Sequence, residues 1–342
     1  MERLLFKKQE FEELYGCERL TPEQWNSFAK PDIWIGLLYL IPGVIYLILY
    51  FPCLIVMREK KFSKHSCYKL MFLLGFFDVF GVILSAIIPG IQTFQAAFSG
   101  EVFCSHRIFN YIVGCFSTGL WGCTCLTCII LAFNRTLDLL NPKIWEKLFD
   151  GKRTYFWYVP PVFWGGYFVL FSYPHVYTTI AFAFFFDPYH GIEAPGFLHN
   201  DAIRPHYVHS TNNIGTTILL IAMYSILCLF MLCKTKKAKG AMKITQTQKM
   251  IFIQCFLLCV ITLTTASIYV IMQWINTPVW LIVIGQITWQ GAHGGAAVIY
   301  IILNKSLQKS IKKLFILRTL FKSSIPKIKV KSVEISRQKN FS

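Results

Sequence analysis

From Ile108 to Asn134 the chain runs 27 residues without an Asp, Glu, Lys or Arg. A helix of about 20 such residues crosses the roughly 30 Å hydrocarbon core of a bilayer. Blocks of this kind recur at Trp34–Met57, Leu70–Gln92 (broken only by Asp78), Tyr155–Phe186, Asn213–Cys233 and Met250–Asn304. The last is too long for one crossing. The stretch QWINTPVW, Gln273–Trp280, divides it with turn-forming Asn, Thr and Pro and interface-loving Trp. The block from Tyr155 also overshoots, so its helix is ended near Tyr173–Pro174 and the aromatic remainder is read as loop. Seven spans follow, at 34–57, 70–92, 108–134, 155–174, 213–233, 250–272 and 280–303. Each closes its own backbone hydrogen bonds in lipid, which predicts an all-α membrane protein, a seven-transmembrane bundle.

The charges that remain are placed unevenly. With the N-terminus outside, 27 of the 34 Lys and Arg fall in inner segments and 7 in outer ones. This asymmetry predicts a multi-pass protein of the cell membrane with an extracellular segment 1–33 and a cytoplasmic basic tail 305–342. The bases sit at membrane exits, where anionic lipids attract them, so the net charge of +17 does not read as nucleic-acid binding. MERLLFKKQEFEELYG mixes acids with bases and has no sustained apolar centre, so span one is expected to serve as the targeting signal. The glycan acceptor Asn134-Arg135-Thr136 falls on the cytosolic side, where it is unusable.

Ten of the twelve Cys lie in spans or at their inner ends, where a thiol reads as a small apolar residue. Only Cys17 and Cys104 fall outside. The second outer loop has no Cys, so a bridge from Cys104 within the chain has Cys17 as its partner; two free thiols are the alternative.

Polar residues inside spans should face away from lipid, and their spacing agrees. Span three carries Arg107, Gly114, Trp121, Cys128 and Arg135 at intervals of seven, with Asn110, Ser117 and Thr124 beside them. Span two has Asp78, Ser85 and Gln92; span six has Gln254, Thr262, Thr265, Tyr269 and Gln273; span seven has Gln286, Gln290, His293, Tyr300 and Asn304. One reading is helix–helix glue, helped by Gly294, Gly295, Ala296 and Ala297. The other is an outer ligand cavity lined by Asn110, Ser117, Trp121, Tyr269, Gln286 and Gln290. Asp78, halfway along span two, needs a partner, a proton or an ion; Tyr300 and Asn304 match its depth as candidates. Arg135 continues the interior stripe to the bundle floor and reads as a stop-transfer cation or a switch element.

Seven spans, an outside N-terminus, an acid in span two and an arginine ending span three resemble a G-protein-coupled receptor. The wording is closer to one branch. SCYKLMFLLGFFD (Ser66–Asp78), FCSHRIFNYIVG (Phe103–Gly114), LAFNR (Leu131–Arg135) and WQGAHGGAAVIYIILNKSLQKSI (Trp289–Ile311) resemble the nematode serpentine receptor class T family of chemoreceptors. The resemblance spans about residues 30 to 315. It implies a small external ligand and a heterotrimeric G protein as partners. The sequence departs from rhodopsin-like receptors in carrying Asn134 before the arginine and lacking the Trp-x-Pro of span six, the Asn-Pro-x-x-Tyr of span seven and the loop-two cysteine. No Lys occurs in Trp280–Leu303, which excludes a retinal Schiff base there.

Competing functions have weaker support. No span holds an H-x3-H pair or a nucleophile cluster, against a membrane hydrolase, and no cofactor or metal is expected. A channel or transporter would show internal repeats or several intramembrane charges along a path, and Asp78 is the only deep charge. His190, His199, His206 and His209 read as a solvated loop rather than a zinc site. NKSLQKSIKKLFILRTLF places Leu307, Ile311, Leu314 and Phe315 on one face, an amphipathic helix on the inner leaflet. Ser323, Ser324, Ser332 and Ser336 follow as phosphorylation candidates.

Overall fold

Asp32 starts the first crossing. Its side chain accepts the Ile35 N–H at 3.0 Å, and helix one, Ile33–Met57, begins there. The computed structural model describes residues 1–99, 104–192, 206–236, 246–275 and 277–323. Helix two is Ser66–Val82 and Ile88–Ser99 joined by a π turn, Ile83–Ile87. Helix three, Arg107–Leu140, is the longest described helix at 34 residues and packs on helices two, four, five and six. Helix four is Val159–Phe171, entered through a 3-10 stretch, Gly151–Tyr158. Helices five, six and seven are Tyr207–Lys236, Gln246–Trp274 and Val279–Leu303. A helix at Lys305–Ser323 follows; it packs on helix one, and its Ser310 bonds Lys61 in the short turn of helix Lys60–Ser63 that follows helix one.

Five of these helices are long and apolar enough to cross a membrane by composition alone. Helices four and seven fall short for different reasons. Helix four is only 13 residues long without its 3-10 entry. Helix seven has 25 residues, but Gln286, Gln290 and His293 interrupt its apolar run; all three are buried.

The solvent preference of the bundle is inverted. Trp34, Ile48, Phe51, Phe163, Ile218, Leu229 and Ile302 are each more than 60% exposed, whereas Asp78, Asn134, Asn213, Gln286 and His293 are 0% exposed. Apolar side chains outward and polar ones inward is what hydrocarbon as solvent requires.

The mouth, at the N-terminal end of helix one, is closed by two pieces of chain. Three short helices, Glu2–Phe6, Lys8–Tyr15 and Pro22–Phe28, lie over it, the last set by a Thr21–Gln24 capping box. Cys17 and Cys104 are bridged, which fastens this segment to the start of helix three. Arg107 adds an ion pair to Glu12 at 2.6 Å. Below them sits a hairpin, β1 (Val176–Thr178) and β2 (Ala183–Phe185), pairing Val176 with Phe185 and Thr178 with Ala183. The stretch after helix four, read as loop from the sequence, therefore contains the only strands among the described residues. Every residue from Val176 to Phe184 is at most 5% exposed.

Candidate functional site: the polar interior beneath the hairpin

Aromatic and β-branched residues build the hairpin, and hydroxyl and imidazole groups fasten it. Tyr39 of helix one donates to the Phe182 carbonyl at 2.8 Å, holding that turn residue at φ 58°, a region non-glycine residues seldom adopt. Thr93 of helix two bonds the Tyr177 hydroxyl. His175 lies against helix three, with Nε2 2.9 Å from Ser117 Oγ and Nδ1 3.2 Å from Thr118 Oγ1. This approach requires Gly114, because a Cβ there would stand 2.2 Å from the His175 carbonyl oxygen. Phe184 meets Trp289 of helix seven edge-on, ring centroids 5.2 Å apart.

All six residues expected to line a cavity are buried or part-buried beneath or beside this hairpin, and most already have partners. Asn110 accepts from Gln92. Ser117 holds His175. Tyr269 donates to Gln286 Oε1 at 2.9 Å, and Gln286 Nε2 donates to the Ser85 carbonyl at 2.6 Å. That carbonyl is available because Pro89, four residues on, has no N–H to offer it. Trp121 Nε1 donates to Asn213 Oδ1 at 2.8 Å. Gln290 differs: its Nε2 is buried with no partner among the described residues, as are Asn213 Nδ2, His293 Nε2 and Thr124 Oγ1. Trp121 links the last three groups, since it bonds Asn213, sits one helical turn before Thr124 and meets the His293 ring edge-on at 5.9 Å.

Asp78 has different partners from those its depth suggested. Its Oδ2 accepts from Tyr50 at 2.7 Å and its Oδ1 lies 3.0 Å from His293 Nδ1. Tyr50 also lies 2.8 Å from the His293 carbonyl, so helices one, two and seven meet at one carboxylate. Gly81 makes room, because a Cβ there would fall 2.4 Å from His293 Nδ1. Asn304 instead donates to the Tyr68 hydroxyl at 2.9 Å and caps Leu307 N–H at 3.1 Å. Tyr300 is buried in the same floor cluster as Tyr68 and Leu131. Sequence reasoning put His293 on the polar stripe of span seven without joining it to Asp78. It passed over Tyr50 altogether, because a tyrosine within an apolar block gives no signal.

At the floor, Arg135 pairs with Asp138 of its own helix at 3.1 Å. Asn134, 0% exposed, donates to Ser66 Oγ at 3.0 Å and joins helix three to the start of helix two. His206 and His209 are buried, not solvated as their loop composition suggested, and His190 stacks on Phe185 at 3.8 Å. His199, Ser324, Ser332 and Ser336 lie outside the described residues, and nothing is described of the Ser323 side chain. Burial pushes His175 down to about 3 and His206 down to about 4, so both loop rings are neutral at physiological pH.

Three similarities bear on this architecture. The crystal structure of squid rhodopsin superposes with a TM-score of 0.62, covering 88% of this chain and 86% of that one at 11% identity, which is a likeness of fold. Serpentine receptor class T-55 of Caenorhabditis elegans is 23% identical over 329 residues, 95% of this chain and 87% of the relative. The family profile described as serpentine type 7TM GPCR chemoreceptor Srt matches residues 2–324. With seven helices, a polar interior and a family match across nearly its whole length, the chain belongs to the Srt family of serpentine seven-transmembrane chemoreceptors.

Proposed function

We propose that this chemoreceptor takes a small external molecule into the interior beneath the hairpin and signals to a heterotrimeric G protein at the opposite end. The mouth with its N-terminal helices faces outside and the basic tail faces the cytosol, in keeping with the skew of Lys and Arg. The helix Lys305–Ser323 lies along the inner leaflet. The observation that carries the ligand reading is a set of buried polar atoms with no partner among the described residues: Asn213 Nδ2, His293 Nε2 and Thr124 Oγ1 about Trp121, and Gln290 Nε2 one turn before His293 on helix seven. Two of these are amide donors, and a buried donor without an acceptor costs about 1–3 kcal/mol. A compact ligand presenting carbonyl or carboxylate oxygens recovers that cost. Asn110, Ser117, Trp121, Tyr269, Gln286 and Gln290 form the walls, with Gln290 and Trp121 nearest the ligand.

The Asp78–Tyr50–His293 junction is the switch element, with Tyr300, Asn304 and Arg135 passing the change to the floor. A ligand moves such a switch only by binding its two states unequally. The test is G-protein nucleotide exchange in cells expressing the chain, read across a panel of small carbonyl compounds and acids. We expect at least one to act, and Gln290→Ala to weaken its half-maximal concentration about tenfold, as loss of one buried hydrogen bond to a charged or strongly polar group predicts. A panel-wide silence together with no change of basal exchange in Arg135→Ala sinks the reading.

A further inference from the structure

Two histidines at the mouth are held in a form that leaves no place for a second proton. His206 Nδ1 accepts the backbone N–H of His209 at 3.0 Å, and its Nε2 lies 3.1 Å from Ser172 Oγ and 3.4 Å from the Tyr173 nitrogen. His209 Nδ1 lies 3.1 Å from Gln273 Nε2, an amide nitrogen that also donates to the Tyr269 carbonyl at 3.1 Å. The Tyr269 carbonyl can only accept, which fixes that amide's orientation, and Gln273 Oε1 accepts from Ser210 at 2.8 Å. Each Nδ1 therefore faces a donor, and a proton added there meets an N–H instead of a lone pair. His175 differs, because hydroxyl oxygens face both its nitrogens.

Phe186, which follows the hairpin, is the common neighbour. Its ring stacks on His206 at 4.8 Å and lies 5.1 Å from His209 and 5.7 Å from His175. His175 and His209 are themselves 6.2 Å apart. The other titratable and charged groups about the cluster come from four parts of the chain. From the N-terminal helices come Arg3, 3.5 Å over the Tyr173 ring, and Glu10, paired with Arg3 at 2.6 Å. Tyr173 itself follows helix four, Asp187 follows the hairpin, and Tyr269 lies one turn from Gln273. Glu10 reaches Tyr173 Oη at 3.4 Å and Asp187 accepts from the Tyr189 N–H at 3.0 Å. Among the described residues no carboxylate bonds any of the three rings.

We propose that His206 and His209 form a proton-binding site whose occupation releases the hairpin and opens the mouth of the bundle. Protons are then a second class of external ligand, acting on the lid rather than in the cavity beneath it. The proposal rests on the outward-facing mouth of the receptor reading and on the hydrogen-bond directions given above. The burial that depresses His206 sets the sign. The unfolded or released segment binds protons near pH 6.5 and the docked one does not, so docking is stable above that pH and weakens as pH falls towards about 4.

The experiment is thermal unfolding of the purified full chain in detergent at pH 7.5 and 5.5. Alongside wild type run the double variant His206→Asn with His209→Asn, whose side-chain oxygens accept at the Nδ1 positions without titrating, and His175→Asn. Wild type should lose on the order of 5 °C at the lower pH, His175→Asn somewhat less because its own buried ring is also neutral, and the double variant less than half of the wild-type loss. An equal loss in the double variant, or a flat wild type, overturns the proposal. Amide hydrogen exchange over Tyr173–Phe186 in wild type reads the same event should the double variant fail to fold: faster exchange at pH 5.5 supports it and unchanged exchange refutes it. Neither measurement uses a G protein or a small-molecule ligand, so failure here leaves the ligand reading standing, and the reverse holds.

Discussion

The mouth and the middle of this bundle bury polar groups in different proportions: the mouth is fastened by more cross-element pairs, although Tyr15 Oη and Thr179 Oγ1 are buried there with no partner among the described residues. At the mouth, Tyr39, Thr93, Ser117, Thr118, His175 and Tyr177 are joined in specific pairs, and a disulfide closes the cover. In the middle, Gln290, Asn213, His293 and Thr124 each keep a buried atom with no partner among the described residues. Satisfied networks fix one arrangement, and unsatisfied ones leave a cost that a second arrangement or a ligand removes. The contrast assigns the fuller set of ties to the entrance when its histidines are neutral, and adaptability to the interior below it.

The largest test of that contrast is the cover. Cys17→Ser opens a loop with a sequence separation of 87. It should destabilise the chain by about 4.6 kcal/mol on the loop-entropy estimate, read as loss of surface-delivered receptor and a lower melting temperature. If the melting temperature is unchanged, the N-terminal helices are not part of the closure. Next is the junction in the middle. His293→Leu leaves the Asp78 carboxyl with Tyr50 alone and should cost about 3–5 kcal/mol, whereas Asp78→Leu with His293→Leu should cost less than the sum of the singles. Additive costs in that cycle would separate the two residues.

Gly114→Ala places a methyl against the His175 carbonyl and should cost about 1–3 kcal/mol, with faster amide exchange confined to the hairpin. Protection retained throughout the hairpin would show that the close approach is not what seats it. Smallest is Tyr39→Phe, which removes one hydrogen bond to Phe182 and should cost about 1 kcal/mol in melting experiments. A null result there would mark the hairpin turn as held by packing alone.

Much of the helical frame was legible because lipid imposes a blunt rule. Charge-free blocks mark crossings, and polar residues spaced by three, four or seven mark one inner face, as Gln286, Gln290 and His293 illustrate. The hairpin was not legible. Its strands have three residues each, both faces are covered, and the alternation that betrays a strand is absent from VYTTIAFAFF. The partners of Asp78 were hidden for another reason: sequence gives depth along each helix but not the rotation of one helix against another. Tyr300 and Asn304 matched by depth, yet Asn304 turns to Tyr68. His206 and His209 were misjudged because composition describes a loop's solubility only where the loop stays in solvent.

Pro89 has an effect beyond its own helix. By withholding an amide proton it leaves the peptide oxygen of Ser85 to be claimed from across the bundle, and the Gln286 side chain claims it. Helix seven is thereby geared to a notch in helix two. Sliding or turning it strands an oxygen in a medium that offers no water in exchange, so the two helices should move as one body or not at all.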